Sequence, residues 1–215
     1  MKTCRLFVSA AAMLLSTTFA TGAGAQASGV AVGVLGGGTL PMSDYKDVAN
    51  TGWHLGAFVD LGRNAGPFGV RFEGIYHGFG DRDVVTSGNG TTSFTFSNKY
   101  SIVNGNVNLV LGIPIENAPI RPYLLGGVGA YYLRNSPECL GGTGCPIDDD
   151  ESATKFGLNG GGGLEFGLAG FSAFVEARYH NVFTALPDLD CIGQSGCGRR
   201  GAQLLPLTFG LKFGF

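Results

Sequence analysis

The feature that most constrains this chain is period two. From residue 30 to the end, apolar side chains recur at alternate positions in segment after segment. Alternation at that period is the mark of a strand with two unlike faces. Trp53, Leu55, Ala57, Val59 and Leu61 alternate with His54, Gly56, Phe58 and Asp60. Phe68, Val70, Phe72 and Tyr76 oppose Arg71, Glu73 and His77. Val103, Val107, Leu109, Leu111 and Ile113 oppose Asn104, Asn106 and Asn108. Phe171, Ala173, Val175, Ala177, Tyr179 and Phe183 oppose Glu176, Arg178 and His180. Leu205, Leu207, Phe209, Leu211, Phe213 and Phe215 oppose Thr208, Gly210, Lys212 and Gly214. With three weaker segments, this reading gives strands at Val30–Leu40, Gly52–Gly62, Pro67–Phe79, Tyr100–Ile113, Arg121–Arg134, Lys155–Leu168, Phe171–Phe183 and Leu204–Phe215. The fifth, containing PYLLGGVGAYYL, is apolar on both faces, so its facing stays open.

The connections carry their own pattern. Those before the third, fifth and seventh strands are short, and the last of them is only Ala169-Gly170. Those before the second, fourth, sixth and eighth are long. Short turns at one end and long loops at the other characterise an outer-membrane barrel. The prolines test this, because proline cannot donate to a ladder and a closed barrel has no free edge to hide it. All nine are expected in connections or near strand starts, with Pro41, Pro137, Pro146 and Pro187 in connections.

Composition decides which face meets which solvent. Only 14% of the chain is charged, against about 25% in ordinary soluble domains. The chain has 38 glycines among 215 residues, a share well above the usual ~7%. A water-facing barrel would carry more Lys and Glu on its polar face. Here those faces hold Asp60, Glu73, Glu165 and Glu176 against Arg71, Arg178 and Lys212, a near balance suited to mutual pairing. Eight strands enclose a space just wide enough for side chains to fill. The expectation is an all-β, eight-stranded antiparallel up-and-down transmembrane barrel, apolar outside and polar inside, without a wide pore. Outer-membrane lipid and lipopolysaccharide then surround it, and a monomer is expected. A net charge of −2 gives no footprint for nucleic acid.

The first 25 residues read as a secretory signal. Lys2 and Arg5 precede the apolar run Leu6–Leu15, and Ala23-Gly24-Ala25 matches a cleavage site. Residues 26–215 form the barrel domain. Four further cysteines, Cys139, Cys145, Cys191 and Cys197, make two C-x5-C loops. An even count in an exported chain favours disulfides. Neighbours closing a short loop meet more readily than partners on separate loops, so Cys139–Cys145 and Cys191–Cys197 are the expected pairs. Zinc fits poorly, since its usual spacing is tighter and neither segment contains histidine.

The C-terminal run LPLTFGLKFGF, with Phe209, Leu211, Phe213 and the final Phe215, resembles the signature of bacterial outer-membrane barrels read by the barrel-assembly machinery. RPYLLGGVGAYYL, FGLNGGGGLEFGL and FSAFVEARYHNVF are similar to strands five to seven of the outer-membrane β-barrel domain family, a relative of the OmpA transmembrane domain. The resemblance implies fold and outer-membrane location. It leaves function open, because members include surface antigens, adhesion proteins and structural anchors. No peptidoglycan-binding domain is expected after the barrel.

Motifs for chemistry are weak. The lipid A deacylases, which are also small barrels, place a serine two residues after the catalytic histidine. Here Gly56, Phe79 and Val182 stand there after His54, His77 and His180. Those histidines read as members of an interior polar network with Asp60, Arg71, Glu73, Glu165, Glu176, Arg178 and Lys212. Gly196–Gly201 fits G-x-G-x-x-G but lacks the strand-then-helix context of a dinucleotide site. Asp148–Glu151 lacks the spaced ligands of a calcium loop. No cofactor, metal or catalytic residue is assigned. The sequence favours a non-enzymatic barrel presenting external loops, with ligand sites sought in residues 135–154 and 184–203. A narrow channel and a lipid-modifying enzyme are the alternatives. A closed barrel opens slowly, because every backbone group is satisfied internally. Folded protein should therefore resist SDS at room temperature and migrate differently after boiling; identical mobility would count against a barrel.

Overall fold

A computed structural model describes residues 29–47, 49–62, 66–80, 82–87, 93–115, 119–141, 151–183 and 202–214. Its strands are β1 (Val30–Met42), β2 (Gly52–Leu61), β3 (Phe68–Phe79), β4 (Arg82–Ser87), β5 (Ser93–Gly112), β6 (Ile120–Gly141), β7 (Glu151–Leu168), β8 (Phe171–Val182) and β9 (Ala202–Gly214). All pairings are antiparallel. β3 pairs with both β2 and β5, and β1 with both β2 and β9, so eight strands close a ring that leaves out β4. The expected signal segment and the acid run 148–150 lie outside the described residues, as do Cys145, Cys191, Cys197 and Phe215. Cys139 stands in β6, opposite Phe96.

The register sets the shape. One rung runs Ala31, Asp60, Arg71, Asn108, Gly127, Asn159, His180, Leu204 and returns to β1 at Pro41, ten residues above its start. That climb is the stagger a closed barrel needs, with strands tilted by roughly 35–45°. On this rung Ala31, Asp60, Arg71, Asn108, Asn159, His180 and Leu204 are buried, while the neighbouring Leu109 is 72% exposed. The apolar faces thus point outward as the alternation requires. The ambiguous fifth segment resolves as Tyr123, Leu125, Tyr131 and Leu133 inward, with Leu124, Val128 and Tyr132 outward. Of the short turns, Ala169-Gly170 is tightest, and Gly170 takes a φ of 88° there, a conformation that suits glycine.

Three expectations change. The stretch between the third and fourth expected strands is not simply a loop. β4 pairs with the upper part of β5, which pairs in turn with the upper part of β6. These make a three-stranded sheet continuing beyond the barrel wall. Phe94 and Phe96 within SFTFSNKY carried the alternation that marks it. Second, Pro41 lies in β1 and Pro137 in β6, rather than in connections. Each sits where one ladder has ended: β2 leaves β1 at Thr39, and β7 leaves β6 at Asn135. A missing N–H costs nothing on an unpaired side. Pro206 lies deeper in β9, and the β8–β9 ladder skips from Ala177–Leu207 to His180–Leu204 around it.

Third, the interior is not polar throughout. The inner face of β8, read from the short-turn end, runs Phe174, Glu176, Arg178, His180, Val182. Apolar residues lie at both ends of that series and ions and imidazole between. At the long-loop end, Phe79, Ile102, Tyr131, Leu133, Val182 and Leu204 pack beneath Tyr45 and Ala49. Tyr45 belongs to a short 3-10 turn, Ser43–Asp47. Its phenol is held above its ordinary range by burial, so this cap stays uncharged. Nearer the short turns, Leu35, Phe58, Ile75, Val110, Tyr123, Leu125 and Phe174 form a second cluster.

Glycine at the inner face makes room. A Cβ on Gly127 would stand 2.0 Å from the Val107 carbonyl oxygen and 2.4 Å from Asn108 Oδ1, whereas one on outward Gly126 meets nothing nearer than 3.6 Å. Overpacking of a filled interior costs about 1–3 kcal/mol. Gly127→Ala should lose stability of that order in guanidinium unfolding from lipid vesicles, while Gly126→Ala stays within about 0.5 kcal/mol of the parent. Equal losses would reject the packing.

Candidate functional site

The candidate site is the polar middle of the lumen. Alternation delivers its members from six strands: Asp60 and His54 from β2, Arg71, Glu73 and His77 from β3, the asparagines from β5, Asn159 and Glu165 from β7, Glu176, Arg178 and His180 from β8, and Lys212 from β9. Each is at most 7% exposed.

Five ions alternate in sign across it. Arg71 grips Asp60 with two bonds, Nε to Oδ1 at 2.6 Å and Nη2 to Oδ2 at 3.0 Å, and reaches Glu176 Oε2 at 3.1 Å. Arg178 donates to Glu176 Oε1 through Nε at 2.7 Å and through Nη2, and to Glu73 Oε1 through Nη1. Tyr123 donates to Glu176 Oε2 at 2.8 Å, and Asn106 to Glu73 Oε1 at 2.8 Å. Glu176 is therefore the hinge of the network, bound to both guanidinium groups. Arg71 also lies over the Phe58 ring, 4.2 Å from its centroid. That face is a favourable seat for a desolvated guanidinium. Lys212 and Glu165 form a separate pair at 2.7 Å nearer the short turns.

Above the ions the histidines form a hydrogen-bonded layer. Thr39 Oγ1 lies 3.0 Å from His54 Nδ1 and 2.9 Å from His77 Nδ1. His54 Nε2 lies 3.0 Å from Thr208 Oγ1, and His77 Nε2 lies 3.0 Å from Asn104 Oδ1. With neutral rings, proton counting fixes the direction. Asn104 Oδ1 only accepts, so His77 Nε2 donates and its Nδ1 accepts from the Thr39 hydroxyl. Thr39 has then used its proton, so His54 donates through Nδ1 and accepts from Thr208. One continuous chain ties β9, β2, β1, β3 and β5. His180 joins Tyr131 instead, at 2.8 Å.

This arrangement is built to hold strands together. Among the described residues, no group of His, Cys, Asp and Glu is placed to hold a metal. The sequence grouped the charges and histidines and set Thr208 on the inward face, but missed their partners Thr39, Tyr123 and Tyr131. Thr39 stands among glycines in GGGTL, and its inward parity was the available signal. The inward glycines serve different neighbours. Gly161 accommodates Arg178, but Gly157 and Gly163 lie against the rings of Tyr131 and Tyr123. At the C-terminus, Phe209, Leu211 and Phe213 point outward.

A family model for the outer membrane protein β-barrel domain matches residues 8–201. The chain belongs to that family. It is an outer-membrane protein of bacteria, and it meets lipid and lipopolysaccharide through its apolar wall. Among solved structures, Neisserial surface protein A is similar at 13% identity, with a TM-score of 0.55, covering 87% of this chain and 98% of the other. A major outer membrane protein from Thermus thermophilus is similar at 18% identity, with a TM-score of 0.56, covering 86% of this chain and 99% of the other. At these identities the likeness is one of fold. The comparison with curated proteins finds no match.

Buried ion networks add little net stability, but breaking one leaves an uncompensated charge at a cost of about 3–5 kcal/mol. Glu176→Gln should lose an amount in that range. Thr39→Val, which unpairs two neutral imidazole nitrogens, should lose about 1–3 kcal/mol. Chemical unfolding in one lipid ranks the two, and a larger loss at Thr39 would contradict the central role of Glu176.

Proposed function

We propose that the protein is a non-enzymatic, monomeric surface protein whose barrel is an anchor. The observation that carries this reading is the sheet formed by β4 and the upper parts of β5 and β6, standing on a barrel whose lumen is filled. By the rule that short turns face the periplasm and long loops the exterior, this sheet lies outside the cell. It continues for several residues beyond the last full rung of the ring. An elaborated outer end above a packed interior suits contact with something external. The segments 135–154 and 184–203, which hold the expected cysteine pairs, connect strands whose ends lie on that side, and they belong to the same reading. Insertion by the barrel-assembly machinery, through Phe209, Leu211, Phe213 and Phe215, completes it.

The filled lumen also bears on the rival readings. A conducting path has to pass the apolar cluster at the long-loop end and then the Arg71–Glu176–Arg178 network, with which Phe58, Tyr123 and Phe174 of the second cluster interleave. The histidines have partners that fit a structural layer, and no serine or cysteine nucleophile is seen bonded to any of them among the described residues. The test compares cells carrying the parent with cells in which residues 82–98 are replaced by a short turn. Attachment to cultured epithelial cells and self-aggregation should fall in the variant, whose heat-dependent gel shift shows that the barrel still folds. Planar bilayers with the parent should stay silent, and lipid A mass spectra should not depend on the protein. Undiminished attachment and aggregation, steady conductance or a protein-dependent lipid A product would each overturn the proposal.

A further inference from the structure

Charge in the middle of the lumen does not sum to zero. Asp60, Glu73 and Glu176 stand against Arg71 and Arg178, so one negative charge is left over. All five are at most 6% exposed. The other charges on inward positions, Lys212, Glu165 and the exposed Arg121, lie toward the short turns. The excess localises on one atom. Arg71 holds both oxygens of Asp60. Guanidinium and phenol donors hold both oxygens of Glu176. Glu73 gives Oε1 to Arg178 and Asn106, and its Oε2 has no hydrogen-bond partner among the described residues. Neutral oxygens gather beside it. Asn106 is the register partner of Glu73 on β5, and Asn108 that of Arg71. Their Oδ1 atoms also have no hydrogen-bond partner among the described residues. Both lean over bare backbone of β6: a Cβ on Gly129 would overlap Asn106 Oδ1, and one on Gly127 would overlap Asn108 Oδ1. Asn159 stands opposite Gly127 on the other side, in β7.

We infer that the lumen binds one alkali-metal cation here, with Glu73 Oε2 supplying the charge and the Asn106 and Asn108 amide oxygens the neutral ligands. Three arguments select that occupant. A buried carboxylate oxygen left uncompensated is costly, and a cation removes the cost. Carboxylate and amide oxygens are hard donors, which suit hard cations rather than copper or zinc. The charge count calls for a single positive charge, since a divalent ion would leave the centre positive by one. A proton on Glu73 Oε2 would balance the charge but could serve only one of the two amide oxygens. Asn104 Nδ2 and Asn108 Nδ2 likewise have no acceptor among the described residues, and water carried by the ion would accept from them. The apolar cluster beneath Tyr45 separates the site from outside water. The ion is therefore taken up as the ring closes and leaves slowly afterwards.

The test folds the full protein into phosphatidylcholine vesicles and follows urea unfolding at constant ionic strength, with sodium, potassium or rubidium chloride replacing N-methylglucamine chloride. A ligand that binds only the folded state lowers the unfolding constant in proportion to its concentration once that exceeds the dissociation constant. A tenfold rise in the preferred cation should therefore lower the constant by up to about tenfold. Glu73→Gln keeps an acceptor for Arg178 and Asn106 while removing the charge, and should abolish the response. Asn108→Ala keeps the charge, removes one amide oxygen and should weaken the response. The gel shift on boiling shows that each variant is folded. Position is read from crystals of protein folded in rubidium chloride, whose anomalous signal should give one lumen peak in contact with Glu73 Oε2. Unfolding indifferent to the replacement of N-methylglucamine would overturn the inference, as would a full response in both folded variants or a lumen without rubidium. An infrared carbonyl band of a protonated acid that vanishes in Glu73→Gln would assign the place to a proton and reject the cation.

Discussion

Everything in this molecule depends on the β1–β9 ladder. A sheet in hydrocarbon cannot leave an edge, because each unpaired N–H or C=O there costs several kcal/mol. Closing the ring removes both edges at once, and the closure dictates the rest. With eight strands and a ten-residue climb, the enclosed space is too narrow for a water column and too wide to leave empty. It has to be filled by side chains from inward positions, and every inward position is then committed to one neighbour set.

That demand explains the strata. Long side chains from facing strands meet near the axis, where opposite charges find each other without solvent. Arg71 and Arg178 reach across the lumen to carboxylates on other strands, while tyrosine rings lie over glycine backbone where the wall allows. Apolar groups cap the polar middle at the long-loop end and interleave with the ions toward the short turns. Such an interior is demanding to assemble and hard to perturb, so change is easier at the ends. The outer end is where this chain elaborates its strands into a separate sheet.

Much of this was legible in the sequence, for a physical reason. Lipid on one side and a packed lumen on the other impose opposite chemistries on adjacent residues, so Leu109 and Asn108 declare their facing by composition alone. Legibility fails where that contrast fades. Tyr123, Leu125, Tyr131 and Leu133 face inward yet are apolar, because they pack in the lumen's two apolar clusters. β4 and the start of β5 continue beyond the closed ring, where the contrast between wall and lumen no longer applies. Prolines misled for a related reason: a strand can outlast its neighbour, so Pro41 and Pro137 occupy strands at points already free on one side. The partners of the ions and histidines come from distant strands, and only register brings them together.

The climbing rung has one more implication, for how such a chain can change over time. Traced around the barrel from Ala31 it returns at Pro41, an even number of positions away. Parity is thus an invariant of the ring. A single residue gained within one wall strand would turn the remainder of that strand inside out, pushing asparagine toward acyl chains and leucine toward the ions. Residues can enter the wall in pairs, or singly only where a bulge absorbs one, as the shift between Thr95 and Phe96 does beyond the ring. The loops obey no such rule. Length variation among descendants of this chain is therefore channelled to its two ends, and the wall between them changes by substitution.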